Sequence, residues 1–178
     1  TGLISGVTTN PTLIFKSGEH PQDVYWDLIK AGVKDVSMEV VGENEEDLFA
    51  RAMGHVKTYG EHATIKVPCS VDGLKVCKRL SDVNVRVNVT LIFSPAQAIL
   101  ASLAGATYIS PFIGRMDDNS LDGMKLINDI SNLFQKQFLS TKILAASIRD
   151  PQSVGTAFAL GADICTVPVG VFDKMYQH

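Results

Sequence analysis

Ala63-Thr64-Ile65-Lys66-Val67-Pro68 is an apolar run interrupted by one amine and stopped by a proline, and residues 70–80 behind it carry helical periodicity. The run reads as a short buried strand, and a strand followed at once by a helix is the unit the whole chain repeats. Apolar or β-branched runs recur at residues 3–9, 36–41, 64–67, 87–93, 107–110, 142–147 and 164–167. Between them, residues 45–56, 70–80, 94–104, 121–138 and 152–160 read as helices. Asn44 is an N-cap for the first of these and places Leu48, Phe49 and Met53 on one side. Ser94-Pro95 supplies a cap and a first-turn proline, Gly105 a stop, and Pro151 opens the last helix. Short strands that are apolar on both faces and alternate with helices imply a parallel sheet covered by helices. Seven strands are legible, and an eighth upstream of Thr1 would close a (β/α)8 TIM barrel. An open doubly wound sheet is the alternative, but no Gly-rich dinucleotide fingerprint follows any strand.

The 178 residues make one domain large enough for a substantial core. With 46% hydrophobic and 20% charged residues the composition is that of a soluble globular protein. A net charge of -3 offers no basic field for nucleic acid or an anionic membrane. No apolar stretch is long and charge-free enough to span a bilayer, and no signal peptide is visible. Cys69, Cys77 and Cys165 are odd in number and scattered, which suits reduced thiols in the cytoplasm. The chain opens at Thr1 without a methionine, so an upstream segment is expected outside it.

Burial disfavours the charged form of an amine, and a neutral amine attacks carbonyls, so Lys66 is a Schiff-base candidate. Its plain reading is a strand-end lysine that reaches water along its stem. In a barrel, chemistry sits where the strands finish. Those ends offer Thr8-Thr9-Asn10-Pro11, Glu39, Asn88, Thr90, Ser110, Arg115, Ser147, Arg149 and Thr166. Each has a bland alternative: Thr9 and Asn10 as a turn before Pro11, and Glu39 as a carboxylate paired with a lysine. Asn88 and Thr90 could bond a neighbouring backbone, Ser110 and Ser147 could cap the next segment, Arg115 could pair with Asp117 or Asp118, and Arg149 with Asp150. Together they say more. A lysine and a glutamate on consecutive strands of one interior suggest a pair or a shared purpose, and Glu39 with the Thr90 hydroxyl could hold a water for carbinolamine dehydration. Two arginines beyond later strands match a phosphate, which guanidinium groups bind bidentately. An amine, an acid and a phosphate clamp describe carbonyl chemistry on a sugar phosphate.

Metal-dependent chemistry is disfavoured. His20, His55, His62 and His178 are dispersed, no cysteine has ligand spacing, and no cofactor motif is visible. Asp117-Asp118 reads as a solvated loop.

Five segments then resemble the transaldolase family: Gly6-Val7-Thr8-Thr9-Asn10-Pro11-Thr12-Leu13, Ile65-Lys66-Val67-Pro68, Asn88-Val89-Thr90-Leu91-Ile92-Phe93-Ser94, Ile109-Ser110-Pro111-Phe112-Ile113-Gly114-Arg115 and Ala145-Ala146-Ser147-Ile148-Arg149. The likeness runs in order through the chain and is similar to the short, microbial-type subfamily that includes fructose-6-phosphate aldolase. It implies a class I aldolase (β/α)8 barrel, with the first strand and the C-terminal helix outside this chain. Lys66 falls at the Schiff-base lysine, and Glu39 and Thr90 where the catalytic water is held. Asn10, with Thr9 beside it, Asn88 and Ser110 fall at the dihydroxyacetone hydroxyls. Arg115 and Arg149, helped by Ser147, fall at the phosphate site. The implied reaction moves a dihydroxyacetone unit from fructose 6-phosphate or sedoheptulose 7-phosphate to an aldose phosphate, in the non-oxidative pentose phosphate pathway. The resemblance implies no cofactor and a homo-oligomer, a pentamer or a decamer.

One departure stands out. The family's general acid/base aspartate ends the first barrel strand, upstream of Thr1, so no residue here takes that role. Two alternatives remain. The aldolase-type relative carries glutamine, leucine and tyrosine at the positions of Glu39, Asn88 and Phe112, and all three residues here follow the transaldolase pattern. A non-catalytic sugar-phosphate-binding or assembly protein is the other.

Overall fold

A computed structural model describes residues 2–177. Its strands are β1 (Val7–Thr8), β2 (Val36–Glu39), β3 (Ala63–Pro68), β4 (Val87–Ile92), β5 (Tyr108–Pro111), β6 (Lys142–Ala145) and β7 (Ile164–Cys165). They pair in chain order and every pairing is parallel. Helices α1 (Pro11–Ser17) and α2 (Pro21–Lys30) follow β1; α3 (Glu45–Tyr59), α4 (Val71–Ser81) and α5 (Pro95–Leu103) follow β2, β3 and β4. Then come α6 (Ile113–Asp118), α7 (Gly123–Lys136), α8 (Pro151–Ala159) and α9 (Val169–Lys174). The sheet curls into an incomplete barrel. Among the described residues β1 and β7 share no backbone pairing, yet the Thr8 and Thr166 hydroxyls meet at 2.7 Å across the opening. The eighth strand expected upstream of Thr1 lies outside the described residues.

One device starts most of the helices. Asn10, Asn44, Ser70, Ser94, Asp122 and Asp150 each accept, on the side chain, the N–H three residues on. Each such cap is worth about 1 kcal/mol, and it ends the strand-to-helix turn sharply. Asn10 is therefore a cap with Pro11 at the first helical position, not the isolated turn expected before Pro11. At α4 the turn is closed by a contact: a Cβ on Gly73 would lie 2.0 Å from the Pro68 carbonyl oxygen. Gly73→Ala is expected to lower stability by about 3 kcal/mol, because the obstacle is backbone and cannot swing away. Chemical denaturation checks this, and a midpoint unchanged from wild type would refute the contact.

The strands are not apolar on both faces, as their composition suggested. Val36, Met38, Ile65, Val67, Val87, Val89 and Ile109 are fully buried in the core between sheet and helices. The alternate residues Ser37, Glu39, Thr64, Lys66, Asn88, Thr90 and Ser110 turn to the other side, as period-two geometry requires. The barrel interior is polar. Of the 3–9 run only Val7–Thr8 is strand, in register with Val36 and Ser37, and the Thr9 N–H still donates to the Ser37 carbonyl at 3.0 Å. On α3 the buried stripe is Leu48, Ala52 and Tyr59, and Met53 points outward. Asp117 and Asp118 end helix α6 and are not a loop. No helix among the described residues is long and apolar enough to cross a membrane, and all three cysteines are free.

Candidate active site

Lys66 lies within the buried stretch of β3 and is itself only 7% exposed. Its register partners are Glu39 on β2 and Asn88 on β4. The Nζ donates to the Thr9 carbonyl at 3.0 Å and forms an ion pair with Glu39 Oε2 at 2.9 Å. The amine does not snorkel. It is held at the C-terminal mouth between β1 and β2, at two fixed acceptors.

Two further polar layers lie beneath it. In the middle layer Ser110 Oγ donates to Asn88 Oδ1 at 2.8 Å, and Asn88 Nδ2 donates to Ser37 Oγ at 3.3 Å. In the lowest, Asp35 accepts from the Thr64 hydroxyl at 2.7 Å and the Tyr108 phenol at 2.9 Å, with Arg86 alongside at 3.2 Å. Burial, then the bond to Asp35, pushes the Tyr108 phenol up to about 12. Buried polar groups that satisfy one another are rigid, so the network fixes the strands that aim Lys66 and Asn88.

Above Asn88, Thr90 is 1% exposed and its Oγ1 has no hydrogen-bond partner. The next residue, Leu91, has φ 61°, and the β4–β5 register slips between Val89 and Ile92. A bulge of this kind re-aims side chains at a strand end, at a cost in backbone strain for a non-glycine residue. On the other side of Glu39 a cleft of about 620 Å3 opens, lined by Pro11, Ile14, Tyr25, His55 and Tyr59 among others. Burial raises the Tyr25 phenol above its ordinary value, against a hydrogen bond with Thr9 and with help from the Glu39 charge.

The two arginines flank one corner. Ser147, past β6, adopts φ 62°, and its carbonyl accepts the Gly114 N–H at 3.2 Å. A Cβ on Gly114 would sit 2.4 Å from that carbonyl oxygen and 2.7 Å from Arg149 Nε, so only glycine lets α6 approach. The Arg115 guanidinium lies 4.9 Å above the Phe112 ring and makes no ion pair among the described residues. Arg149 grips both carboxylate oxygens of Asp118. It does not pair with Asp150, whose carboxylate caps α8.

Most of the residues singled out from sequence thus meet at one end of the sheet: Thr9, Glu39, Lys66, Asn88, Thr90 and Ser110 inside, and Phe112, Arg115, Ser147 and Arg149 at the rim. Asn10 is beside them, with its Oδ1 committed to the Leu13 N–H at 2.9 Å. Ser37 and Tyr25 escaped the sequence reading. Ser37 was recoverable, since it stands two residues before Glu39 and must share its face. Tyr25 reaches the site from a helix, which no strand-end search inspects. Among the described residues no group of His, Cys, Asp or Glu could hold a metal ion.

Fold and site together define a parallel β/α-barrel protein with a carboxylate-paired lysine buried at the C-terminal strand ends. The model of the transaldolase/fructose-6-phosphate aldolase family matches residues 1–178. A probable transaldolase of Nitrosopumilus maritimus is 47% identical over 178 residues, covering 99% of this chain and 80% of that protein. Probable transaldolases of Coprothermobacter proteolyticus and Caulobacter vibrioides are each 44% identical, covering 99% and 100% of this chain and 81% and 82% of theirs. The chain belongs to the transaldolase/fructose-6-phosphate aldolase family.

Proposed function

We propose that the chain is a transaldolase that works through an imine on Lys66. The Nζ adds to the C2 carbonyl of a ketose phosphate and water leaves, giving an iminium. The C3–C4 bond then breaks, its electrons passing into the enamine and the aldose phosphate departing. The retained dihydroxyacetone unit attacks the aldehyde of an acceptor aldose phosphate, and hydrolysis returns the amine. The observation that carries this reading is the placement of Nζ, buried and fixed between Glu39 and the Thr9 carbonyl. The amine must shed a proton to attack, and the Glu39 carboxylate is the base in contact with it.

Leaving a buried hydroxyl unpaired costs about 1–3 kcal/mol, so the Thr90 Oγ1 calls for an occupant. A water between it and Glu39 serves carbinolamine dehydration. Asn88, Ser110 and the free amide of Asn10 meet the dihydroxyacetone hydroxyls, and Arg115, Ser147 and Arg149 meet the phosphate. Loss of the C4 hydroxyl proton requires a general base beyond the residues named here. The second reading is an aldolase of the same family. A coupled assay on fructose 6-phosphate separates the two: a transaldolase forms product only when an acceptor aldose phosphate is added. Release of free dihydroxyacetone at the same rate without an acceptor would establish the aldolase.

A further inference from the structure

The rim corner holds a group that the proposed reaction leaves unused. Asp118 is at the C-terminal end of α6, where a carboxylate faces the negative end of the helix dipole and costs stability. Its neighbour Asp117 has a structural partner, accepting the Gly123 N–H at 3.1 Å at the start of α7. Among the described residues the Asp118 carboxylate bonds only Arg149, and does so with both oxygens. The Arg149 guanidinium holds the Asp118 carboxyl below its usual range, with a smaller contribution from Arg115. The Arg149 and Asp118 side chains are 54% and 49% exposed, so the pair contributes little to folding. A planar fork filled by one carboxylate presents the same face that a phosphate would take.

We propose that Asp118 is a resident competitor for the phosphate site: it occupies Arg149 in the free protein and is displaced when a phosphate monoester enters. The inference rests on the sugar-phosphate reading above. Gly114 lets α6 approach the Arg149 stem, and with the Arg149 side chain 54% exposed the guanidinium can leave Asp118 for a ligand by side-chain rotation alone. A competing carboxylate weakens phosphate affinity and speeds product release, and it rejects ligands whose negative charge is too small to displace it.

The test is calorimetric titration of the full chain with inorganic phosphate. Asp118→Asn is expected to bind it about fivefold more tightly than wild type, the upper range for an exposed ion pair. Asp118→Glu should restore wild-type affinity, and Asp118→Ser guards against an effect peculiar to asparagine. Thermal midpoints of the four proteins should differ little, because an exposed pair contributes little to folding, so that a change in phosphate affinity is not a change in folding. Equal or weaker phosphate binding by Asp118→Asn, with wild type binding normally, overturns the competitor and leaves the phosphate site standing. No binding by wild type or any variant removes the phosphate site, and the competitor with it.

Discussion

Borohydride added to the protein with fructose 6-phosphate is expected to leave a reduced three-carbon unit on the peptide carrying Lys66, and Lys66→Met to abolish the adduct and the turnover together. Reduction captures an iminium only where an amine has condensed with the ketose, so the adduct names the nucleophile by mass spectrometry. Methionine keeps the length and volume of the lysine stem, so the barrel interior stays filled. What vanishes is the Nζ with its bonds to the Thr9 carbonyl and Glu39. Glu39 keeps some water access, its side chain being 19% exposed, which limits the folding cost to about 1–3 kcal/mol. Turnover should fall by about 10^3-fold or more, because a nucleophile that works as a unit with its neighbours has no substitute. Circular dichroism of the variant should match wild type. An adduct on another lysine, or turnover that survives the substitution, would sink the assignment.

The legibility of this site in the sequence comes from the period of a strand. Once Lys66 is taken as facing inward, alternation puts Thr64 on the same side, and parallel register carries the face to Glu39, Ser37, Asn88, Thr90 and Ser110. A sequence shows composition before direction, which is why Val36-Ser37-Met38-Glu39 read as apolar on both faces when only Val36 and Met38 join the apolar core and Ser37 and Glu39 turn to the polar interior. Short helices were harder. Thr9 and Asn10 read as a turn before Pro11, and residues 21–30 drew no reading, yet Pro11 and Pro21 are each the first residue of a helix capped by the residue before it, Asn10 and His20. The β4 bulge at Leu91 and the unpaired Thr90 hydroxyl depend on backbone torsions that no residue pattern announces. The Arg149–Asp118 contact joins residues 31 positions apart, where nearby Asp150 was the simpler partner. Local spacing predicts what a residue faces. It does not predict which of several nearby charges it will choose.

Glu39→Gln tests whether the carboxylate is a structural partner of Lys66, a participant in the chemistry, or both. Glutamine preserves shape and hydrogen-bonding capacity and removes the charge. With only 9% of the Lys66 side chain and 19% of the Glu39 side chain exposed, losing the charge leaves an ammonium with weak compensation. The expected cost is about 3 kcal/mol, the low end for breaking a buried pair. A double-mutant cycle isolates the interaction: in the Lys66→Met background no cation remains to be stranded, so the same change should cost less than about 1 kcal/mol. Equal costs in the two backgrounds would show that the ion pair contributes nothing to stability. The kinetic consequence is separate. If Glu39 orders the water that carries protons between carbinolamine and solvent, Glu39→Gln should slow turnover by about 10^2–10^4-fold. The variant should still yield some borohydride adduct at long incubation, since the amine itself is intact. Retention of full turnover together with the stability loss would confine Glu39 to holding Lys66 in place.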